Sequence, residues 1–209
     1  MAAARLHESS AAIVRLDIDR FFDHVTRTKI ARALRAIGFP ADEAFEAARL
    51  STVRKPGHAG YSAPFGFVQS PLLASLVLDR SALGRSLRRI KSAGALLSVY
   101  VDDILLSSDS AATTQAFLAE VQVAANASGL PLNLAKSQLQ PGPAAEAFNL
   151  HIGNGMLRVN GLRMTKFSSD AYYASAEQLE GYAYYLNSVN HNQAIKFLDD
   201  LEQAGLRLP

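Results

Sequence analysis

Apolar positions recur every three or four residues through most of this chain and crowd into short β-branched runs elsewhere, a contrast that separates helices from strands. Residues 12–18 (AIVRLDI) read as a half-buried strand. Residues 27–37 predict a helix with Ile30, Ala33, Leu34 and Ile37 on one face, stopped by Gly38 and Pro40. A second helix is expected over 41–53, then a loop rich in Gly, Pro and Ser from Pro56 to Gly66. Ser70 followed by Pro71 reads as a cap and first turn. The helix it starts carries Leu72, Leu73, Leu76, Val77, Leu83, Leu87 and Ile90 on its buried face. Residues 95–100 and 103–108 are apolar strands with almost nothing between them, hence a tight hairpin. A helix over 111–128 ending at Gly129, strands near 146–152 and 156–160, and a helical tail over 176–203 complete the series; tyrosines crowd 182–185. The order strand, helices, strand, strand, helix, strand is the split βαβ arrangement of a ferredoxin-like sheet, so the fold class is α+β.

Composition narrows the picture only a little. With 209 residues, 49% of them hydrophobic, the chain fits one domain or one domain with an appendage. No apolar run is long enough to span a bilayer, and MAAARLHESS has no basic segment leading into an apolar one, so neither a membrane span nor a secretory signal is expected. Zero cysteines exclude disulfides and thiolate metal sites and fit a cytoplasmic location. A net charge of +2 says little about nucleic acid. The local cluster Arg85, Arg88, Arg89 and Lys91 is a candidate phosphate contact, although a solvated helix end has the same look.

Three acidic residues change the reading. Asp17 lies at the exit of the first strand, and Asp102 and Asp103 lie at the turn of the hairpin. A split βαβ sheet sets that strand beside that hairpin, so the three carboxylates converge at one edge. An Asp-Asp pair alone more often marks a turn. Three carboxylates crowded near apolar strands repel one another, and oxygen-seeking divalent cations relieve that cost.

LDIDRFF resembles the first palm motif of reverse transcriptases, especially those of group II introns and retrons, and SVYVDDILL resembles their Tyr-x-Asp-Asp signature. APFGFVQSPLLASLVL is similar to the loop and Ser-Pro helix between the two, and GLPLNLAKSQL to the Gly-Leu-x-Leu-Asn-x-x-Lys motif that follows. AFNLHIG stands where the family has a hairpin that grips the primer, and EQLEGYAYYLNSVN resembles its post-palm helix. The motifs keep the family's order from about residue 13 to 195.

This resemblance implies a polymerase palm over residues 1–166, a helical tail over 167–209 like the start of a thumb, and no counterpart of the family's fingers; either the sequence is a fragment, or another chain supplies the fingers or thumb, or the activity has changed. It implies an RNA-directed DNA polymerase acting on dNTPs with an RNA template and a DNA primer. Two Mg²⁺ ions, or Mn²⁺ in their place, would be held by Asp17, Asp102, Asp103 and the Ile18 carbonyl. Phe22 would exclude a ribose 2′-hydroxyl, Lys136 would protonate the departing pyrophosphate, and Tyr100 would pack near the primer terminus. Asp23 is expected to cap the following helix and Asp19 to be a surface acid. The loop departs from the family, because Phe65 replaces the glutamine that contacts the incoming nucleotide in Pro64-Phe65-Gly66; Gln69 is the nearby amide that could stand in. Such a loop is similar to those of bacterial antiphage-defence (abortive-infection-like) reverse transcriptases, which implies a role in phage defence. The competing reading is a non-catalytic palm that binds nucleic acid or a partner chain. A cyclic-nucleotide synthase fits less well, since the Ser70-Pro71 helix has no place in one.

Overall fold

The computed structural model describes residues 2–55 and 60–206. Ten helices and eight strands alternate along the described residues in the order α1 (Ala2–Arg5), β1 (Ala12–Asp17), α2 (Phe21–His24), α3 (Arg27–Ala36), α4 (Ala41–Leu50), β2 (Val53–Arg54), β3 (Tyr61–Ser62), α5 (Ser70–Arg80), α6 (Ala82–Ser92), β4 (Leu96–Tyr100), β5 (Asp103–Ser108), α7 (Ala111–Ala127), β6 (Ala144–Ala147), β7 (Leu150–Gly153), β8 (Met156–Val159), α8 (Gly161–Ala171), α9 (Ala176–Val189) and α10 (His191–Gln203).

The central sheet has the order β1-β5-β4, antiparallel throughout, with Asp17 opposite Asp103 and Tyr100 opposite Asp103. Alternation along β1 sends Val14 and Leu16 to one face and Ile13, Arg15 and Asp17 to the other. The first face packs with Ile104 and Leu106 against Leu83, Leu87 and Ile90 of α6 and Leu118 and Val121 of α7. On the second face, Ile13 and Leu105 join a separate core built by the β6-β7-β8 sheet and α8 to α10, including Phe167, Leu186 and Phe197. The sheet is therefore the wall between two cores. Residues 131–142 run along the outer edge of β1, bridging Ile18 to Leu132 and Ile13 to Gly142, and take the place of a fourth strand.

A strap formed by residues 2–10 crosses the second face. His7 is fully buried, with Nδ1 2.7 Å from the Ser107 hydroxyl and Nε2 2.9 Å from that of Ser98. Ser10 reaches the same Ser107 hydroxyl at 2.8 Å, and the Arg5 guanidinium donates to the Ser188 and Val189 carbonyls at the end of α9. Burial without a carboxylate partner lowers the His7 pKa to about 4.

Several expectations need correction. The helix expected over 41–53 stops at Leu50, and Val53–Arg54 pair with Tyr61–Ser62 instead. Of the loop expected from Pro56 to Gly66, residues 56–59 lie outside the described residues. Ser70 does not cap; it is the first residue of α5, Gln69 holds the cap position, and the Ser70 hydroxyl donates back to the Pro64 carbonyl at 2.7 Å. The long helix is two, because Ser81 turns extended (φ −77°, ψ 172°), and its hydroxyl caps α6 by accepting from the Gly84 amide. Leu72 and Ile37 are 73% and 44% exposed rather than core. The strand over 146–152 is split by Phe148 and Asn149, both left-handed at φ 56° and 61°, into the hairpin β6-β7. The tail bends at Asn190, and α8 had not been anticipated.

Candidate active site

Asp17 ends β1 on the second face and is only 6% exposed. Its carbonyl accepts from the Asn133 amide at 2.8 Å and its amide donates to the Ser137 hydroxyl at 3.0 Å, so residues 133–137 clamp its backbone from the outer edge. From the inner edge, the Ile18 amide donates to the Asp102 carbonyl at 3.0 Å. The exit of β1 and the β4-β5 turn are thereby locked together. Tyr100 and Asp103 close that turn, with Val101 left-handed at φ 56°. A β-branched residue rarely holds this conformation, which costs on the order of 1–3 kcal/mol and persists where the surroundings enforce it.

The electrostatics follow from the crowding. Burial raises the Asp17 pKa above the usual carboxylate value, the nearby Lys136 ammonium opposes that, Asp102 and Asp103 add to the rise, and Arg15 opposes it more weakly. Arg15, two residues before Asp17 and on the same face, donates from both Nε (3.0 Å) and Nη2 (2.7 Å) to Oδ1 of Asp103. Among the described residues no three acidic or histidine side chains stand arranged as a ready-made metal cage. The donor chemistry nevertheless suits a hard divalent cation: three neighbouring carboxylates with one of them buried against its fellows.

Around this edge the other candidates fall into two groups. Phe22, half buried on α2, meets the ring of Phe65 edge-on at 5.9 Å, and Phe65 is itself 88% exposed. Gly66 beside it is left-handed at φ 98°, and Gln69 is exposed at the start of α5. Tyr100 makes an edge-on contact at 6.0 Å with Phe148, which places the β6-β7 turn over the Asp102–Asp103 turn. A cavity of about 530 Å³ opens there, lined by Arg15, Tyr100, Asp103, Phe148, Asn149 and Tyr185 among others.

The second group lies elsewhere. Arg85, Arg88 and Arg89 belong to α6, in the helical layer on the opposite face of the sheet. Arg88 pairs with Asp79 and Arg89 with Glu120, while Arg85 donates to the Arg80 carbonyl at 3.2 Å. Asp23 does not cap α3, a task Thr26 performs by accepting from the Lys29 amide; Asp23 pairs with Lys55. Asp19 stays at the surface, paired with Arg20.

Sequence reading missed Arg15, Asn133 and Ser137. The Asn in LNLAK was visible as part of a motif, but a charged residue within a half-buried strand carries no sign of which neighbour it will reach.

A family model described as reverse transcriptase (RNA-dependent DNA polymerase) matches residues 1–200. Telomerase from Candida albicans, solved with a TWJ fragment of telomeric RNA, superposes with a TM-score of 0.57 at 11% identity, covering 97% of this chain and 43% of its own. Apo telomerase from Candida tropicalis, truncated of its C-terminal domain, gives 0.53 at 11% identity, covering 76% and 39%. The foamy viral protease-reverse transcriptase in complex with an RNA/DNA hybrid gives 0.52 at 17% identity, covering 90% and 22%. The chain thus spans less than half the length of each of these structures. None of the curated protein sequences compared matches it. The family match over nearly the whole chain, together with a shared palm-like fold and an aspartate at the end of β1 facing an Asp-Asp turn, shows that this protein belongs to the reverse transcriptase (RNA-dependent DNA polymerase) family.

Proposed function

We propose that this chain is the palm of an RNA-directed DNA polymerase that joins dNTPs to a primer 3′-hydroxyl, with residues 1–166 as the palm and 167–209 as the start of a thumb. The observation that carries the proposal is the register of Asp17 against Asp103, with Asp102 tied to the β1 exit through Ile18. Asp17, Asp102, Asp103 and the Ile18 carbonyl are the groups that would hold two Mg²⁺ ions, or Mn²⁺. Those ions would neutralise charge on the transferring phosphoryl group and sharpen the 3′-hydroxyl as a nucleophile.

The chain's own residues supply the rest. Phe22, in edge-on contact with Phe65, is the side chain whose bulk would reject a ribose 2′-hydroxyl. Phe65, Gly66 and Gln69 border the nucleotide with an apolar ring in place of an amide. Lys136, close enough to Asp17 to bias its ionisation, would give a proton to departing pyrophosphate. Tyr100 and Phe148 make an aromatic ledge for the primer terminus. Arg85, Arg88 and Arg89 sit behind the sheet and take no part in this scheme. An RNA template and a DNA primer fit a chain whose structural relatives include one bound to an RNA/DNA hybrid and one bound to telomeric RNA. The loop carrying Phe65, where the family has a glutamine, supports a role in phage defence.

Primer extension with Mg²⁺ and dNTPs is the test. Wild type should yield product, and Asp102→Ala combined with Asp103→Ala should reduce it by at least about a thousandfold, the scale on which loss of transition-state charge stabilisation acts. Equal product from both would sink the proposal. The Arg15–Asp103 pair, taken with Phe65 in place of the family's glutamine, favours the competing reading of a non-catalytic, partner-binding palm, since it engages an acid the chemistry needs.

A further inference from the structure

Two positively charged side chains act on the carboxylates of this edge, and they do so differently. Lys136 approaches from an exposed turn outside the sheet. Arg15 comes from within the strand, and its guanidinium is fixed by two bonds to a single oxygen of Asp103. Both partners are largely shielded from water, their side chains 27% and 19% exposed. Two N–H groups converging on one carboxylate oxygen in such a place make a charge-assisted contact that anchors that oxygen. The register explains it: Asp17 faces Asp103, so Arg15, two residues earlier on the same face, reaches Asp103 diagonally. Arg15 also lines the cavity beneath the β6-β7 turn, together with Tyr100 and Asp103.

We propose that Arg15 is a built-in counter-cation of the aspartate edge, a positioning residue that holds Asp103 in place and competes with divalent metal for its charge. The inference rests on the polymerase reading of this edge. Its physical basis is simple. A fixed positive charge in contact with a ligand carboxylate offsets part of its negative charge, as a metal would, and repels a second cation approaching the same group. Asp103 is thus held in place before a metal and nucleotide would arrive. The cost is weaker binding of metal alone, so occupancy becomes tied to the nucleotide, whose phosphates add the negative charge that Arg15 cancels. Arginine suits this task better than lysine for orientation, because two rigidly spaced donors reach the same oxygen; for charge alone the two are equivalent.

Mn²⁺ binding to the 209-residue chain, followed by electron paramagnetic resonance of the free ion without nucleotide, reads this directly. Arg15→Gln removes the charge and should tighten Mn²⁺ binding by about tenfold or more, the scale on which a neighbouring charge biases a carboxylate. Arg15→Lys keeps the charge and should stay within about twofold of wild type, a distinction that a purely structural role would not produce. Adding Asp103→Asn to Arg15→Gln should abolish the gain. In the wild-type background, Asp103→Asn should cost less affinity than Asp17→Asn, which keeps the test informative should Arg15→Gln fold poorly. Unchanged or weaker binding by Arg15→Gln, with wild-type binding still sensitive to Asp17→Asn, would overturn this inference and leave the polymerase reading standing. Wild-type binding that Asp17→Asn does not affect would overturn both.

Discussion

At the residue scale, Asp17 and His7 show how burial acts on titratable groups at opposite ends of the same sheet face. Asp17 is pushed up by burial and by two neighbouring carboxylates, an arrangement that favours cation binding. His7 is pushed down to about 4 because its two serine partners can bond a neutral ring but cannot balance a charged one. The unfolded chain takes up the His7 proton near pH 6.5 while the folded chain resists until about pH 4, so stability is complete above 6.5 and falls as pH drops through that window. The loss should reach roughly 3 kcal/mol at pH 4. Urea melts at pH 7.0 and 4.5 should show it, and His7→Gln should flatten that part of the profile. Asp17, Asp102 and Asp103 could be picked out in the sequence because they stand at strand ends where a motif names them. Arg15 and His7 could not, since the partners of each lie about ninety or a hundred residues away and nothing local specifies them.

Elements were legible where periodicity ran unbroken. β1, α3, β4, β5 and α7 fall within a residue or two of expectation, because their apolar spacing and their stop signals agree. Three of the failures share one cause. Ser81, the Phe148–Asn149 turn and Asn190 each break an element without Gly or Pro, so the apolar pattern passes across the break as if nothing happened. At the corner between α5 and α6 the consequence can be measured. A Cβ on Gly84 would lie inside the van der Waals shells of the Leu78 and Asp79 carbonyl oxygens, so the two helices meet only over a bare Cα. Gly84→Ala should therefore destabilise the protein by about 1–3 kcal/mol, although alanine is the better helix former, and thermal melts would reveal it. An unchanged melting point would mean that the corner opens freely.

Across the whole molecule, the central sheet serves two cores at once, and neither can lose it alone. Ile104 and Leu106 fill the helical side and Leu105 the other, all three fully buried. Leu105→Ala should cost about 2–5 kcal/mol. Because β5 is shared, the loss should appear as one cooperative transition in both near-ultraviolet circular dichroism and hydrogen exchange, not as early melting of α8 to α10 alone. Separate transitions would mean that the carboxyl-terminal helices form an independent unit. The site sits at the seam of this arrangement: Asp17 and Asp103 belong to the sheet, while Phe148 and Tyr185 reach the same cavity from the second core.

The strap of residues 2–10 carries a consequence for the order in which the protein matures. Arg5 is separated from its acceptor Ser188 by 183 residues, and His7 from Ser107 by 100. At ribosomal speeds of about 5–20 residues per second, Arg5 waits roughly 10–40 s for its acceptor to be made. Until about then Tyr185, which lines the cavity beside Asp103, is missing as well. The aspartate edge therefore acquires its final form only after α9 has emerged, which ties maturation of the site to synthesis of a segment far along the chain.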